Sequence, residues 1–184
     1  MTFKDLTDAI CGQIKKWMPE LKTCESHGGR IDKDEIKRMS GKAPAVYVAV
    51  MATGKPKEVG NGEQDVPLTL VAYVVATDKR RLSRADAALN MTQTLIERIY
   101  CQKWGFEDKV HSAGTASSKN LYSGKIATKG IALWVVTWQQ TVRLGEDMFK
   151  SGIPVPKQLY IGFAPETGAE HLDDYKLASD VELP

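Results

Sequence analysis

Three histidines, three cysteines and one run of cations carry most of this chain's capacity for chemistry, and their spacing limits what each can do. His27, His111 and His171 lie far apart, none in an H-E-x-x-H or other ligand spacing, so local sequence encodes no zinc site. No G-x-S-x-G elbow marks a serine nucleophile. Gly41-Lys42 and Gly54-Lys55 lack the upstream glycine and the following Ser or Thr of a phosphate loop. His27-Gly28-Gly29 reads as a turn between elements rather than an oxyanion loop. Asp173-Asp174 reads as a solvated pair, because tuning a carboxylate for acid–base work requires burial. No catalytic, cofactor-binding or metal-binding residue is assigned, and no cofactor is expected.

Cys11, Cys24 and Cys101 are an odd set without a C-x-x-C spacing. Free thiols in a reducing compartment fit them best, with Cys11 packing inside a helical pattern. Lys79, Arg80, Arg81 and Arg84 form the dense basic cluster, at the start of a predicted helix. Two readings stand: contact with phosphates or an acidic partner surface, or a solvated helix start, although cations are mildly unfavourable at that end of the macrodipole. Without interleaved aromatics, single-strand binding is weakly supported.

The elements that would hold these residues follow from periodicity. Thr2 and Asp5 form a capping-box pair, and Leu6, Ile10, Ile14 and Trp17 then recur at helical spacing until Pro19 stops the helix near Met18. A short strand is expected over 21–25 and a short helix over 32–39, with Asp32 as its N-cap. Ala45–Thr53 and Pro67–Thr77 alternate with period two and are rich in β-branched residues, predicting two strands of an antiparallel hairpin with a long loop and a turn at Asn61-Gly62. Ser83 and Asp86 can cap a second helix with Ala85, Leu89, Thr92, Ile96 and Ile99 on one side, widened by Ala88, Met91 and Leu95, ending near Lys103. At least one strand is expected in 104–129, since so long a structureless loop is unusual in a compact domain.

Gly130–Leu144 predicts one strand of unusual length. Ile131, Leu133 and Val135 share a face that turns polar at Thr137, Gln139 and Thr141. The opposite face stays apolar through Trp134, Val136, Trp138, Val142 and Leu144. Its first half reads as core, and its second half as projecting an apolar face that a tail or a neighbouring subunit must cover. The fold class is therefore α+β: an antiparallel or mixed sheet with two main helices packed on it, followed by an extended C-terminal arm.

At 184 residues the chain has room for one domain with an extension. Residues 1–145 are read as the α+β domain and 146–184 as an acidic extension. The extension carries three lysines against eight carboxylates, a net −5, leaving +7 on residues 1–145 out of a total of +2. Opposite signs on arm and body suit docking onto the chain itself or an adjacent subunit, and solubility alone is the plainer account. No apolar run reaches the about 18 residues of a membrane helix, and Asp5 and Asp8 interrupt any signal-like segment, so a cytosolic setting is expected.

The N-terminal amphipathic helix, the pair PAVYVAV and PLTLVAYVVA, the helix RADAALNMTQTLIERI and the segment NLYSGKIATKGIALWVVTWQQTVRL together resemble the tail terminator (tail completion) family of Mu-like contractile-tailed bacteriophages. The likeness covers most of residues 1–145 and is most specific where Asn120-Leu121-Tyr122-Ser123 precedes a glycine and the strand ending VTWQQTVRL. It implies a homo-oligomeric ring, expected as a hexamer, on the head-proximal end of the tail tube. Such a ring ends tube polymerisation and meets neck or connector proteins and the last sheath ring. It implies no catalysis and no membrane, with DNA only passing through the channel, in a virion tail assembled in the host cytoplasm. Closed rings need two different surfaces that meet. Trp134, Trp138, Val142 and Leu144 are the candidate inter-subunit contacts. Lys79, Arg80, Arg81 and Arg84 are candidates for the channel lining or a partner surface. The alternatives are a head–tail joining protein, a nucleic-acid-binding module and, last, a small enzyme.

Overall fold

A computed structural model describes residues 1–29, 33–78, 83–121, 130–150 and 157–180. It divides into two compact units, Met1–Glu146 and Asp147–Pro184. The first unit is an α+β layered body. Helix α1 (Phe3–Trp17) opens with the expected box: Thr2 Oγ1 accepts from the Asp5 amide at 3.1 Å, and the Asp5 carboxylate accepts from the Thr2 amide at 2.7 Å. Leu6, Ile10 and Ile14 are fully buried, worth about 1.5–3 kcal/mol each over exposure.

Strand β1 (Thr23–Ser26) lies parallel to β2 (Ala45–Thr53), joined through helix α2 (Lys33–Gly41). Asp32, the expected cap of α2, lies outside the described residues. Strand β4 (Gln64–Thr77) runs antiparallel to β2, and between them a two-residue strand β3 (Lys57–Glu58) folds back on the start of β4. The Asn61-Gly62 turn thus closes a small hairpin within the long loop. Helix α3 (Arg84–Ile99) follows, capped by Ser83 Oγ, which accepts from the Asp86 amide. Strands β5 (Ser117–Asn120) and β6 (Ile131–Leu144) complete a mixed six-stranded sheet of order β1-β2-β4-β6-β5, with β3 beside β4.

The sheet is covered on both faces. One face carries Val46, Val48, Leu68, Leu70, Ala72 and Val74, and packs with α1 and α3 into the main core. The other carries Tyr47, Val71, Tyr73, Val75, Ile131 and Leu133, and packs with Met39 of α2. Strand β2 slips by one residue between Val50 and Ala52, which turns Met51 outward to 47% exposure.

Two expectations for α3 need correction. It ends at Ile99 rather than near Lys103, because Cys101 and Trp104 take positive φ of 62° and 59° and redirect the chain. Its buried face is Ala87, Ala88, Met91, Thr92, Leu95 and Ile99, while Ala85 and Leu89 are exposed. Ala87 and Ala88 pack with Ala76 of β4, and three small side chains there let the helix approach the sheet closely. That contact sets its rotation.

The second unit contains a two-stranded pair, β7 (Tyr160–Ile161) and β8 (Lys176–Leu177), with 3₁₀ turns at Ala169–Asp174 and Ala178–Asp180. Among its described residues none is buried.

Candidate assembly surface

Trp138 and Val142, two of the four apolar contacts expected on a neighbour, belong to the chain's own core at 1% and 0% exposure. The cover assigned to another subunit is supplied by the connection after α3. Trp104 packs between Trp17 and Trp138, with ring centroids 5.9 and 6.3 Å apart. Gln140, on the same face between Trp138 and Val142, holds this cover down. Its Oε1 accepts from the indole N–H of Trp104 at 2.8 Å and of Trp138 at 3.3 Å, and its Nε2 donates to the carbonyls of Gln102 and His111, both at 2.9 Å. The backbone repeats the attachment: amides of His111 and Gly114 donate to Thr141 and Gln139 of β6, and the Arg143 amide donates to Lys109. The free edge of the second half of β6 is thereby occupied by the chain itself.

Trp134 and Leu144, the other two candidates, remain half-buried. They sit at opposite ends of β6, ten residues apart, or about 33 Å along a strand at ~3.3 Å per residue. Trp134 lies beside Arg84, the described member of the basic cluster, in a groove of about 280 Å³ between the start of α3 and strands β5 and β6. Ala85, Leu89, Asn120 and Leu133 complete most of its lining. Arg84 is tethered rather than loose: its amide donates to Asp78 Oδ1 at 2.8 Å and its guanidinium reaches Asp78 Oδ2 at 3.4 Å. Lys79, Arg80 and Arg81 lie outside the described residues. Trp134 is marked by strand alternation and Arg84 by the basic cluster; what joins them is the rotation of α3 that leaves Leu89 outside.

The far end of the sheet is polar and ion-paired. Arg143 binds Asp65 through two nitrogens at 2.9 and 3.1 Å, and His111 reaches the same carboxylate at 3.3 Å. Glu63 pairs with Lys109 and accepts from Asn61 Nδ2 at 2.8 Å. The bonds from Arg143 and Lys109 hold the carboxyls of Asp65 and Glu63 below their ordinary values of 3.8 and 4.5. These groups knit the β3–β4 turn to β6 and to the connection beyond α3.

His27 has the hydrogen-bonding of a relay without access for a substrate. Its Nδ1 accepts from the Gly29 amide at 3.0 Å, which leaves Nε2 as the donor to Glu35 at 2.7 Å. Its side chain is 5% exposed, edge-on to Tyr47 and Tyr73. Gly29 adopts φ +86°, and its carbonyl accepts from the Tyr73 hydroxyl at 3.1 Å. The cluster fixes the chain after β1 against the α2 face. Cys11 and Cys24 are buried together, and their shared hydrogen bond, with burial, pushes the Cys24 thiol up. Among the described residues no group of three or more His, Cys, Asp or Glu could hold a metal ion, and no helix is long and apolar enough to cross a membrane.

A family model described as Bacteriophage Mu, Gp37 matches residues 2–142, from the cap of α1 almost to the end of β6. No curated protein matches the chain.

Proposed function

The chain belongs to the Bacteriophage Mu Gp37 family, and on that premise we propose that it is a structural tail protein that closes the head-proximal end of the tail tube as a homo-oligomeric ring. The observation that carries this reading is the extent of the match: it runs through every helix and strand of the body's sheet up to Val142. Those same segments bear the likeness to tail terminators. The body also has the materials of a ring. The chain presents different surfaces: an apolar groove bordered by the Asp78-paired Arg84 at the β5 end, an ion-paired rim at the other, and an acidic arm with no buried residue among those described. A closed ring requires two such unlike surfaces to meet. In this role the body performs no catalysis, and polar clusters such as Asp65–Arg143–His111 act as fasteners.

The test is electron microscopy of tail tubes polymerised with and without the full chain. A ring on one tube end, with tube growth arrested there, is the expected result. Tubes that keep lengthening with bare ends at saturating protein would refute the reading. Attachment to purified connectors instead of tubes would assign it to head–tail joining.

A further inference from the structure

We infer that the acidic arm of one copy docks into the groove between α3 and β6 on the body of a second copy, an inference that rests on the ring reading above. The arm cannot account for its own order. Its 38 residues, 147–184, fall below the about 40 at which small folds need disulfides, metals or oligomerisation. It has no cysteine, and among its described residues no side chain is buried and no metal-binding cluster occurs. Yet it is shaped. β7 pairs with β8, the Ala178 amide donates to the Leu159 carbonyl, and the Gly168 amide donates to the Tyr175 hydroxyl at 3.0 Å. Tyr175 lies so close over Gly162 that a Cβ there would meet its ring at 2.8 Å. This small frame presents Leu159, Tyr160, Phe163 and Leu172, each more than half exposed. A pre-shaped peptide with apolar anchors and no buried side chain among its described residues is a ligand awaiting a surface.

The groove fits that ligand in size and sign. At about 280 Å³ it lies at the lower limit of the about 300–1,000 Å³ typical of small-molecule sites, a size suited to side chains of a peptide. Leu89 and Trp134 offer apolar walls, and Arg84 stands at the rim. Residues 147–184 carry a net −4 and residues 1–146 a net +6, and opposite fields both steer docking and set its register. The occupant is a second copy because a ring needs each subunit to offer its neighbour a surface unlike the one it receives, and arm and groove are such a pair.

The experiment uses the full chain with the photo-cross-linker p-benzoylphenylalanine in place of the exposed Leu89. These light chains are co-assembled with isotopically heavy wild-type chains, irradiated, and read by mass spectrometry. With heavy chains in about tenfold excess, mass action makes docking between copies give arm peptides from residues 157–180 that are about tenfold more heavy than light. Arm peptides that are only light show the arm folding back on its own body and overturn the inference, as does the absence of arm peptides. Arg84→Glu in the light chain is expected to lower the heavy-arm yield about tenfold, and Asp173→Lys with Asp174→Lys in the heavy chain to restore it. A yield indifferent to these charges also overturns it. Tube capping by the same preparation separates the two readings. Capping without heavy-arm cross-links removes the arm inference alone, and cross-links without capping remove the ring-at-the-tube reading alone.

Discussion

Replacing Gln140 with Leu should loosen the cover over the sheet more than any surface change could. The side chain is 3% exposed and makes four hydrogen bonds, two of them from the indoles of Trp104 and Trp138, which are themselves 8% and 1% exposed. Leucine fills most of the volume but strands both indole donors in an apolar cluster. A stranded buried donor costs about 1–3 kcal/mol, so the pair costs about 2–6 kcal/mol. The carbonyls of Gln102 and His111 lie nearer water and add less. Against a total stability of about 5–15 kcal/mol this is a large fraction. In a domain of this size about 3 kcal/mol lowers Tm by roughly 6–12 °C. Urea denaturation followed by tryptophan fluorescence gives the global loss. Hydrogen exchange should show residues 101–116 opening before the rest of the sheet. Gln140→Glu sharpens the test: a carboxylate still accepts from both indoles but cannot donate to the two carbonyls. It should be destabilised at neutral pH and partly recover as acid protonates it. A Gln140→Leu chain within about 0.5 kcal/mol of wild type, with unchanged protection at 101–116, would refute the idea that this network holds the cover.

Three further outcomes are expected. The lowered carboxyl pKa values of Asp65 and Glu63 mean that their ion pairs stabilise the folded state above the ordinary values of 3.8 and 4.5 and lose that effect as pH falls through the folded values. Amide protection factors in 57–66 and 107–111, taken relative to the slower intrinsic exchange in acid, should therefore fall on moving from about pH 5 to about pH 3, and Asp65→Asn should remove much of that dependence; protection flat across this window would contradict the pairing. Among the described residues the buried Tyr47 hydroxyl has no hydrogen-bond partner, and burial pushes its pKa up to about 12. Tyr47→Phe should leave stability unchanged or raise it by about 1 kcal/mol in urea titrations, and a loss of that size would reveal a partner. Cys101 is exposed while Cys11 and Cys24 are buried, so a thiol reagent should find one fast-reacting cysteine per native chain and three in denaturant; two or three fast thiols would show that α1 does not seal β1.

What could be read from the sequence was what local chemistry decides. The Thr2–Asp5 box, strand β2 from Ala45 to Thr53 and strand β6 from Ile131 to Leu144 depend on capping, β-branching and alternation within a few residues. Gln140 shows where this stops. It lies among Thr137, Gln139 and Thr141, which share the opposite, polar face, and its burial depends on a tryptophan 36 residues away. The projecting half of β6 was misread for the same reason, since a polar-looking connection supplies its cover. The rotation of α3 was ambiguous because two overlapping stripes both have helical spacing. Packing of Ala87 and Ala88 on Ala76 decides between them, and no single-helix pattern contains Ala76. The parallel pairing of β1 with β2 is likewise a property of partners rather than of either segment. Of the candidate surface, Trp134 and Arg84 were found by type; their meeting in one groove was not.

Gly145 closes β6 at φ +101°, and a Cβ there would lie 2.8 Å from the Gly62 carbonyl oxygen. The body thus finishes at a joint that admits only glycine, tied into its own β3–β4 turn, just beyond the last residue of the family match. The position of the sheet's last residue is thus set by backbone crowding rather than by side-chain choice, and any other residue at 145 would have to push the Gly62 carbonyl, and with it the turn, aside.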